Sequence, residues 1–217
     1  MSIVDRTPRL RRPGRPRDTA GRSRRRQAIL DSATIVFAER GFVDAEMQEI
    51  ADHLNVGKGT LYRHFMTKES LFLAVVDAAM VRLRQQIDEA ADESSAPLDQ
   101  IASGVRAYLS FFRNHPEVVE LLIQERAHFR DRKQSTYFLH QDQAMNRWEA
   151  LYLQLIKDGI VRPVPVESIL EVISNVLYGS MFANHLSRAS SSLEEQCRGV
   201  LDILFFGLLT TDGEVAA

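Results

Sequence analysis

The chain has 217 residues, of which 45% are hydrophobic and 26% charged, and its formal net charge is −2. This composition is that of an ordinary folded protein and excludes an intrinsically disordered chain. The single cysteine, Cys197, excludes an intramolecular disulfide framework and a multi-cysteine zinc site. No apolar run approaches the roughly 20 residues of a membrane span, and the arginine-rich N-terminus lacks the apolar core of a signal peptide. We therefore expect a cytoplasmic protein.

The small net charge conceals a sharp asymmetry along the chain. Residues 1–26 contain ten arginines against two aspartates, a net charge of +8, so the remaining residues carry −10. A basic arm on an acidic body is typical of a protein that presents one end to a polyanion, although a basic solvated tail without that function is the alternative. Prolines and glycines without hydrophobic periodicity predict that residues 1–21 form a flexible arm.

Helical periodicity of apolar residues begins after this arm. The pattern predicts a first helix over residues 23–40 that stops at Gly41. A second, short apolar stripe runs over residues 47–54, and Asp44 is expected to cap its helix with a side-chain carboxylate. The Asn-Val-Gly sequence at 55–57 then predicts a turn.

The rest of the chain is also predicted to be helical. Leu61 and Phe65, four residues apart, predict a third short helix, and Thr67 is expected to cap the fourth. No convincing strand follows, so we expect an all-α protein of about nine helices. The longer helices are predicted at residues 67–92, 97–114, 116–129, 133–159, 166–188 and 192–210.

The second and third helices are too short to bury their apolar faces alone, and the first helix can supply the missing surface. Together they predict a three-helix unit that contains a helix-turn-helix, whose second helix lies in the DNA major groove. Lys58 and Arg63 can reach guanine acceptors, and Thr60 can contact a thymine methyl group or a phosphate. Contacts with the phosphate backbone are expected from three further side chains, and Gly59 allows close approach of the backbone. These three side chains are Tyr62, His64 and Lys68.

Residues 29–42 and 50–71 resemble the TetR/AcrR family, in the strings Ile-Leu-Asp-Ser-Ala at 29–33, Phe-Ala-Glu-Arg-Gly-Phe at 37–42 and Ile-Ala-Asp-His-Leu-Asn-Val-Gly-Lys-Gly-Thr-Leu-Tyr-Arg-His-Phe at 50–65. The resemblance implies a DNA-binding domain at 22–66 and a larger ligand-binding and dimerisation domain, a helical bundle, at 67–217. Ala45 and Glu46 depart from the family pattern, where threonine or serine is usual, and so does Gly57, where serine is common.

The arm carries a second DNA-binding signal. Residues 12–17, Arg-Pro-Gly-Arg-Pro-Arg, resemble the core of AT-hook peptides. Proline and glycine keep such a segment extended, so Arg15 and Arg17 are predicted to enter the minor groove. The alternative is a general attraction of the arm to phosphates.

The family resemblance further implies that the last two helices form a four-helix bundle with a second copy of the chain. Both helices are apolar around more than one face, which suits packing against the protomer and a partner, whereas an ordinary monomer core is the alternative. The predicted interface residues are Ile173, Val176, Leu177, Gly179, Ala183, Val200, Leu201, Leu204, Phe205 and Leu208.

The resemblance also implies an effector site inside the C-terminal helices. Residues that mix aromatic walls with a few polar groups are typical of such sites, although each of them alone could serve ordinary packing. The predicted ligand contacts are Tyr108, Phe112, Glu125, His128, Trp148, Tyr152, Asn175 and Tyr178.

These observations predict a transcriptional regulator that binds an operator as a homodimer and releases it when a small molecule binds. An architectural DNA-binding protein is one alternative, although it would not need the long helical core. A helical-bundle enzyme is the other, because Glu125 and His128 have the spacing of di-iron motifs, but such sites need two of these motifs. No nucleophile motif is present, so we expect no catalytic residue, no metal and no cofactor.

Overall fold

The structure, a computed structural model, describes residues 19–187 and 191–207, and all regular secondary structure in these ranges is α-helical. This confirms the expected all-α class. No described helix is both long and apolar enough to cross a membrane. The helices are α1 (Thr19–Asp44), α2 (Met47–His53), α3 (Lys58–His64), α4 (Lys68–Asp92), α5 (Pro97–Asn114), α6 (Pro116–His128), α7 (Thr136–Lys157), α8 (Val166–Ser187) and α9 (Leu193–Phe206).

The end of α1 agrees with the sequence prediction at Gly41 but not at Asp44. Gly41, where the helix was expected to stop, has φ +78° and interrupts the helical backbone, but the chain completes a further turn through Asp44. Asp44 is therefore the last residue of α1 and does not cap α2, so the predicted cap is wrong. The N-cap residue of α2 is Glu46, which makes no side-chain capping hydrogen bond.

Side-chain caps fix the starts of α4 and α9. The hydroxyl of Thr67 accepts a hydrogen bond from the backbone N–H of Ser70, and the Ser70 hydroxyl accepts one from the N–H of Thr67, which confirms the predicted cap at Thr67. Ser192 and Glu195 form the same reciprocal pair at α9. Helix α5 has the predicted bounds, and α4, α6, α7 and α8 begin and end within three residues of their predicted positions.

One hydrophobic core joins the three N-terminal helices to the larger bundle. Phe37 and Phe42 at the end of α1 pack against Phe72 of α4 and Phe129 after α6, with ring centroids 5.0 to 5.4 Å apart in the pairs that link these elements. A second cluster, centred on Tyr152 and Leu155, packs α7 against α8 and α5. Helix α1 therefore packs directly on the helices of the C-terminal part.

Candidate DNA interface and ligand cavity

Helices α2 and α3 form a helix-turn-helix with buried contacts on one side only. Ile50 and Ala51 of α2 and Leu61 of α3 are fully buried. Asn55 in the turn has φ +51°, a left-handed conformation that asparagine adopts more readily than most residues. The remaining faces of α3 are consequently free to meet another molecule.

The outer surface of α3 carries the residues that the sequence selected. Lys58, Gly59, Tyr62 and Arg63 are exposed, whereas Thr60 and His64 are half-buried. The Nη2 atom of Arg63 donates a hydrogen bond of 3.2 Å to Oγ1 of Thr60. This contact orders the Arg63 side chain along the helix surface.

Arginines of α1 add to the positive charge around α3. The pKa of His64 is lowered by partial burial and by the charges of Arg22, Arg63, Arg25 and Arg26. The Arg26 guanidinium also lies 5.2 Å from the centroid of the Phe65 ring. The end of α3 and the start of α1 therefore form one basic surface.

Lys68 lies beside this surface but is bonded within the protein. Its Nζ atom donates hydrogen bonds to the carbonyls of Val43, at 2.8 Å, and Ala45, at 3.1 Å, and lies 4.9 Å from the Phe42 ring centroid. Lys68 therefore ties α4 to the connection between α1 and α2. Arg15 and Arg17 lie outside the described residues.

A mainly apolar cavity of about 150 Å³ lies between α4, α5, α7 and α8. Three of the predicted ligand contacts, Tyr108, Trp148 and Tyr152, line it. Arg84, His140 and Gln141 are among its few polar residues. The sequence missed most of its apolar wall, which includes Met80, Leu83, Ile87, Ile101, Val105, Leu170, Ile173 and Leu177.

Two tyrosines close one side of the cavity. Their hydroxyl groups, those of Tyr108 and Tyr137, are 2.9 Å apart, and both side chains are buried. Burial raises the pKa of Tyr108 well above its usual value and that of Tyr137 to about 12. Both hydroxyls therefore stay protonated at neutral pH and present neutral hydrogen-bonding groups.

Trp148 forms another wall of the cavity, and its position depends on Gly104. A Cβ atom at Gly104 would lie 2.8 Å from Cη2 of the indole. Arg147 lies 5.6 Å from the Trp148 ring centroid and donates to Asp92 at 2.7 Å, with Asp88 at 3.6 Å. The carboxylates of Asp88 and Asp92 on α4 thus hold Arg147 next to the Trp148 indole.

The eight predicted ligand residues do not share one cavity. Phe112 lines a separate pocket that Tyr108 also lines, and Asn175 is exposed on α8. Glu125 is buried, whereas His128 is exposed and packs against Phe42, with 5.4 Å between ring centroids. Glu125 and His128 therefore do not converge, and the described residues contain no group of three or more metal-ligating side chains.

Glu125 and Tyr178 instead line a separate pocket of about 350 Å³ between the end of α6 and the start of α7. The backbone N–H and the hydroxyl of Thr136 donate hydrogen bonds to Oε1 of Glu125, at 2.9 and 2.7 Å, and Arg132 is also paired with this carboxylate. Unlike the apolar cavity, this pocket is lined by several charged side chains, which are Glu125, Arg126, Arg132 and Lys133.

The outer faces of α8 and α9 carry exposed small and apolar residues. Of the predicted interface residues, Ile173 and Leu177 line the apolar cavity, Val200 and Leu201 pack on the core, and Leu208 lies outside the described residues. Val176, Gly179, Ala183 and Phe205 are exposed, and Leu204 is half-buried. The sequence missed the other exposed members of this surface, which are Val172, Leu186, Gly199, Ile203 and Phe206.

The spacing of small and apolar residues along α8 indicates part of this exposed surface. Val172 and Leu186, 56% and 71% exposed, lie on one face of α8 with Val176, Gly179 and Ala183, because steps of four and three residues keep side chains on the same side of a helix. We call these five residues the α8 stripe.

Comparison with known proteins gives matches to parts of the chain. Residues 29–75 match the family model described as bacterial regulatory proteins, tetR family. An uncharacterized HTH-type transcriptional regulator, YhgD of Bacillus subtilis, is 32% identical over 103 residues, which cover 48% of this chain and 53% of that protein. The HTH-type transcriptional activator FasR of Mycolicibacterium smegmatis is 31% identical over 103 residues, 48% of this chain and 47% of FasR. The chain thus spans about half the length of these curated relatives.

Solved structures match the fold over most of the chain. FadR from Bacillus subtilis, in complex with stearoyl-CoA, superposes with a TM-score of 0.72 at 17% identity, covering 84% of this chain and 99% of that one. The TetR family regulator PfmR from Thermus thermophilus gives 0.66 at 20% identity, again over 84% and 99%. These similarities confirm an N-terminal helix-turn-helix domain followed by a helical C-terminal part.

Proposed function

We propose that this chain, a TetR-family protein by its N-terminal domain, is a transcriptional repressor that releases its operator when a small molecule binds. One observation carries the proposal: a helix-turn-helix with an exposed basic face shares a continuous core with a helical bundle that contains an apolar cavity. Such an arrangement can couple occupancy of the cavity to the position of α3. We place the boundary between the DNA-binding domain and the ligand-binding domain at residues 66 and 67.

We propose distinct roles for the exposed residues of α3. Lys58, Thr60 and Arg63 would contact base edges, because their side chains can donate to guanine or meet a thymine methyl group. Tyr62 and His64 would contact phosphates and fix the position of the helix, and Gly59 would allow close approach of the backbone. These assignments are supported by the exposure of this face and its arginine-rich surroundings.

Two further basic elements complete the proposed interface. Lys68 would act mainly by holding the connection before α2, since contact with a phosphate would compete with its two hydrogen bonds to carbonyls. Arg15 and Arg17 would add minor-groove contacts from the N-terminal arm.

We propose that the active species is a homodimer in which the α8 stripe and the outer face of α9 pair across a two-fold axis. Gly179 and Ala183 would allow close approach of the helices, and the surrounding apolar side chains would be buried on association. One short recognition helix reads few base pairs, so a dimer on a palindrome would supply the missing specificity. Its half-sites would lie about 34 to 36 Å apart, or a multiple of this distance.

For the effector, we propose a molecule with a substantial apolar part. The cavity is lined mainly by aliphatic and aromatic side chains, and its tyrosine hydroxyls stay neutral. The similar fold of FadR, which was solved with stearoyl-CoA, supports a ligand of acyl character.

The operator and its release can be tested in one series of experiments. Selection from a random DNA pool with the full chain should yield a palindromic sequence, and nuclease footprinting should show protection limited to that site. Adding the effector to the complex should remove the footprint. Uniform protection of all DNA would instead support the architectural alternative, and tighter binding on adding the effector would contradict a repressor that is released by its ligand.

A further inference from the structure

The pocket between α6 and α7 meets the apolar cavity at a single side chain. Tyr137 lines both spaces, so a molecule that enters the cavity on that side would pass this ring. Aromatic rings form much of the pocket wall. The Tyr178 centroid lies 4.8 Å from that of Tyr137 and 5.3 Å from that of Phe138. A flat aromatic group could therefore lie against this wall.

Cations surround the same pocket. Arg126, Arg132 and Lys133 all line it, against a single carboxylate, that of Glu125. Arg132 is paired with this carboxylate, whereas Arg126 and Lys133 make no hydrogen bond or ion pair with any residue that the structure describes. The pocket thus presents two uncompensated positive charges, and anionic oxygens such as those of phosphates are their natural partners.

The buried carboxylate of Glu125 favours a ligand that also carries a hydrogen-bond donor. Oε1 of Glu125 accepts both hydrogen bonds from Thr136, but Oε2 is buried and has no hydrogen-bond partner in the described part of the chain. A buried acceptor without a donor costs free energy. A ligand with an N–H or O–H group could satisfy Oε2, which an anion without such a donor could not do.

Building on the proposed function, we infer that this pocket binds the phosphorylated nucleoside head of an acyl-thioester effector, whose acyl chain occupies the apolar cavity. The phosphates pair with Arg126 and Lys133, the base lies against the aromatic wall, and an amine or hydroxyl of the nucleoside donates to Glu125. A free carboxylic acid fills the cavity but leaves these groups unused. The head group therefore distinguishes a coenzyme A thioester from the corresponding fatty acid.

Calorimetric titration of the full chain, without DNA, tests this inference. The ligands are octanoyl-CoA, octanoate and coenzyme A alone, and we expect octanoyl-CoA to bind most tightly, with an affinity that falls as salt is raised. Arg126→Gln and Lys133→Gln should each weaken octanoyl-CoA by about ten-fold, the loss of one charge-assisted contact, and leave octanoate binding unchanged. Arg130→Gln is the matched control, because Arg130 lies exposed in the same connection but does not line the pocket.

Three results would overturn the inference. They are octanoate binding as tightly as octanoyl-CoA, an equal loss of affinity in the Arg130→Gln control, and the absence of octanoyl-CoA binding. None of them decides whether the operator is released by a ligand, because the titration contains no DNA. Conversely, a chain that binds octanoyl-CoA through Arg126 and Lys133 but keeps its operator would support the head-group pocket and contradict the proposed function.

Discussion

The ring of Phe129, at the end of α6, lies against the ring of Phe72 on α4, with 5.4 Å between centroids and 11° between planes. Both rings also contact Phe42, which follows Gly41 near the end of α1. Helix α4 lines the ligand cavity further along, through Met80 and Leu83. A displacement of α4 or α6 therefore reaches the DNA-binding domain through these three rings, because packed interiors transmit such shifts.

A first prediction concerns this contact. Phe129→Leu keeps an apolar side chain but removes the stacked ring, so we expect operator and effector affinities close to wild type and a smaller change of operator affinity on adding effector. Fluorescence anisotropy of labelled operator, with and without effector, measures that ratio. Phe111→Leu is the control, because Phe111 is buried on α5 and is not part of the contact between Phe42, Phe72 and Phe129. An unchanged ratio in Phe129→Leu, or an equal loss in both variants, would show that the coupling takes another route.

The second prediction concerns the wall of the cavity. Gly104→Ala should destabilise the protein by about 1 to 3 kcal/mol and weaken effector binding, because the new Cβ atom would lie 2.8 Å from the Trp148 indole. Trp148→Phe shortens that side chain, so the double variant should recover part of the stability lost in Gly104→Ala. Thermal unfolding of the wild type, the two single variants and the double variant gives the free energy of interaction between positions 104 and 148. Strictly additive effects would rule out the steric explanation.

Local sequence signals predicted the helices well because their causes are local. The cap at Thr67 and the proline at the start of α5 act within one turn, and the apolar spacing of Leu61 and Phe65 correctly indicated the buried side of α3. Gly41 breaks the helical backbone where the sequence predicted. The cap at Asp44 failed because the chain makes a further helical turn after Gly41 and Asp44 ends that turn.

The cavity could not be predicted in the same way, because it depends on which faces of distant helices meet. Gly104 and Trp148 are 44 residues apart, and only tertiary packing shows that one leaves space for the other. Residue type was ambiguous for similar reasons, because Ile173 and Leu177 suit an interface and a cavity equally well, and both line the cavity. The α8 stripe could have been predicted from its spacing of four and three residues. That prediction would have required leaving out neighbouring apolar residues of α8 such as Ile173 and Leu177, which lie on another face.

A third prediction separates base reading from phosphate contact. Thr60→Val should change which operator positions are preferred, whereas Tyr62→Phe should lower affinity for all sequences by a similar factor, about two- to ten-fold, equivalent to one net hydrogen bond. Repeating the DNA selection with each variant measures both effects. Arg63 donates to the Thr60 hydroxyl, so Thr60→Ser, which keeps that acceptor, is the matched control. A changed base preference in Tyr62→Phe alone would reverse the assigned roles.

The fourth prediction tests the proposed dimer surface with a side chain that is already exposed. Ile203, 53% exposed on α9, can become glutamate with little cost to the protomer fold, but in a two-fold interface each glutamate would be buried beside its symmetry mate. Sedimentation should therefore show Ile203→Glu as a folded monomer with weakened operator binding. Leu153→Glu, at a similarly exposed position on α7, should remain dimeric. A dimeric Ile203→Glu protein with full operator affinity would contradict the proposed interface.

The last prediction follows from the charge around His64. Its pKa is lowered by partial burial and by four arginines, so the side chain is mostly neutral at pH 7. DNA phosphates beside the imidazole would offset the repulsion from these arginines and raise its pKa in the complex, so binding should take up a proton and operator affinity should increase as the pH falls from about 7.5 to 6. The slope of log Kd against pH measures this uptake at constant salt. His64→Gln should reduce the slope by up to about one proton per protomer, whereas His115→Gln, which removes the imidazole paired with Glu117 at the start of α6, should leave it unchanged. Equal slopes in wild type and His64→Gln would place His64 away from the phosphates and make it a residue that only shapes the end of α3.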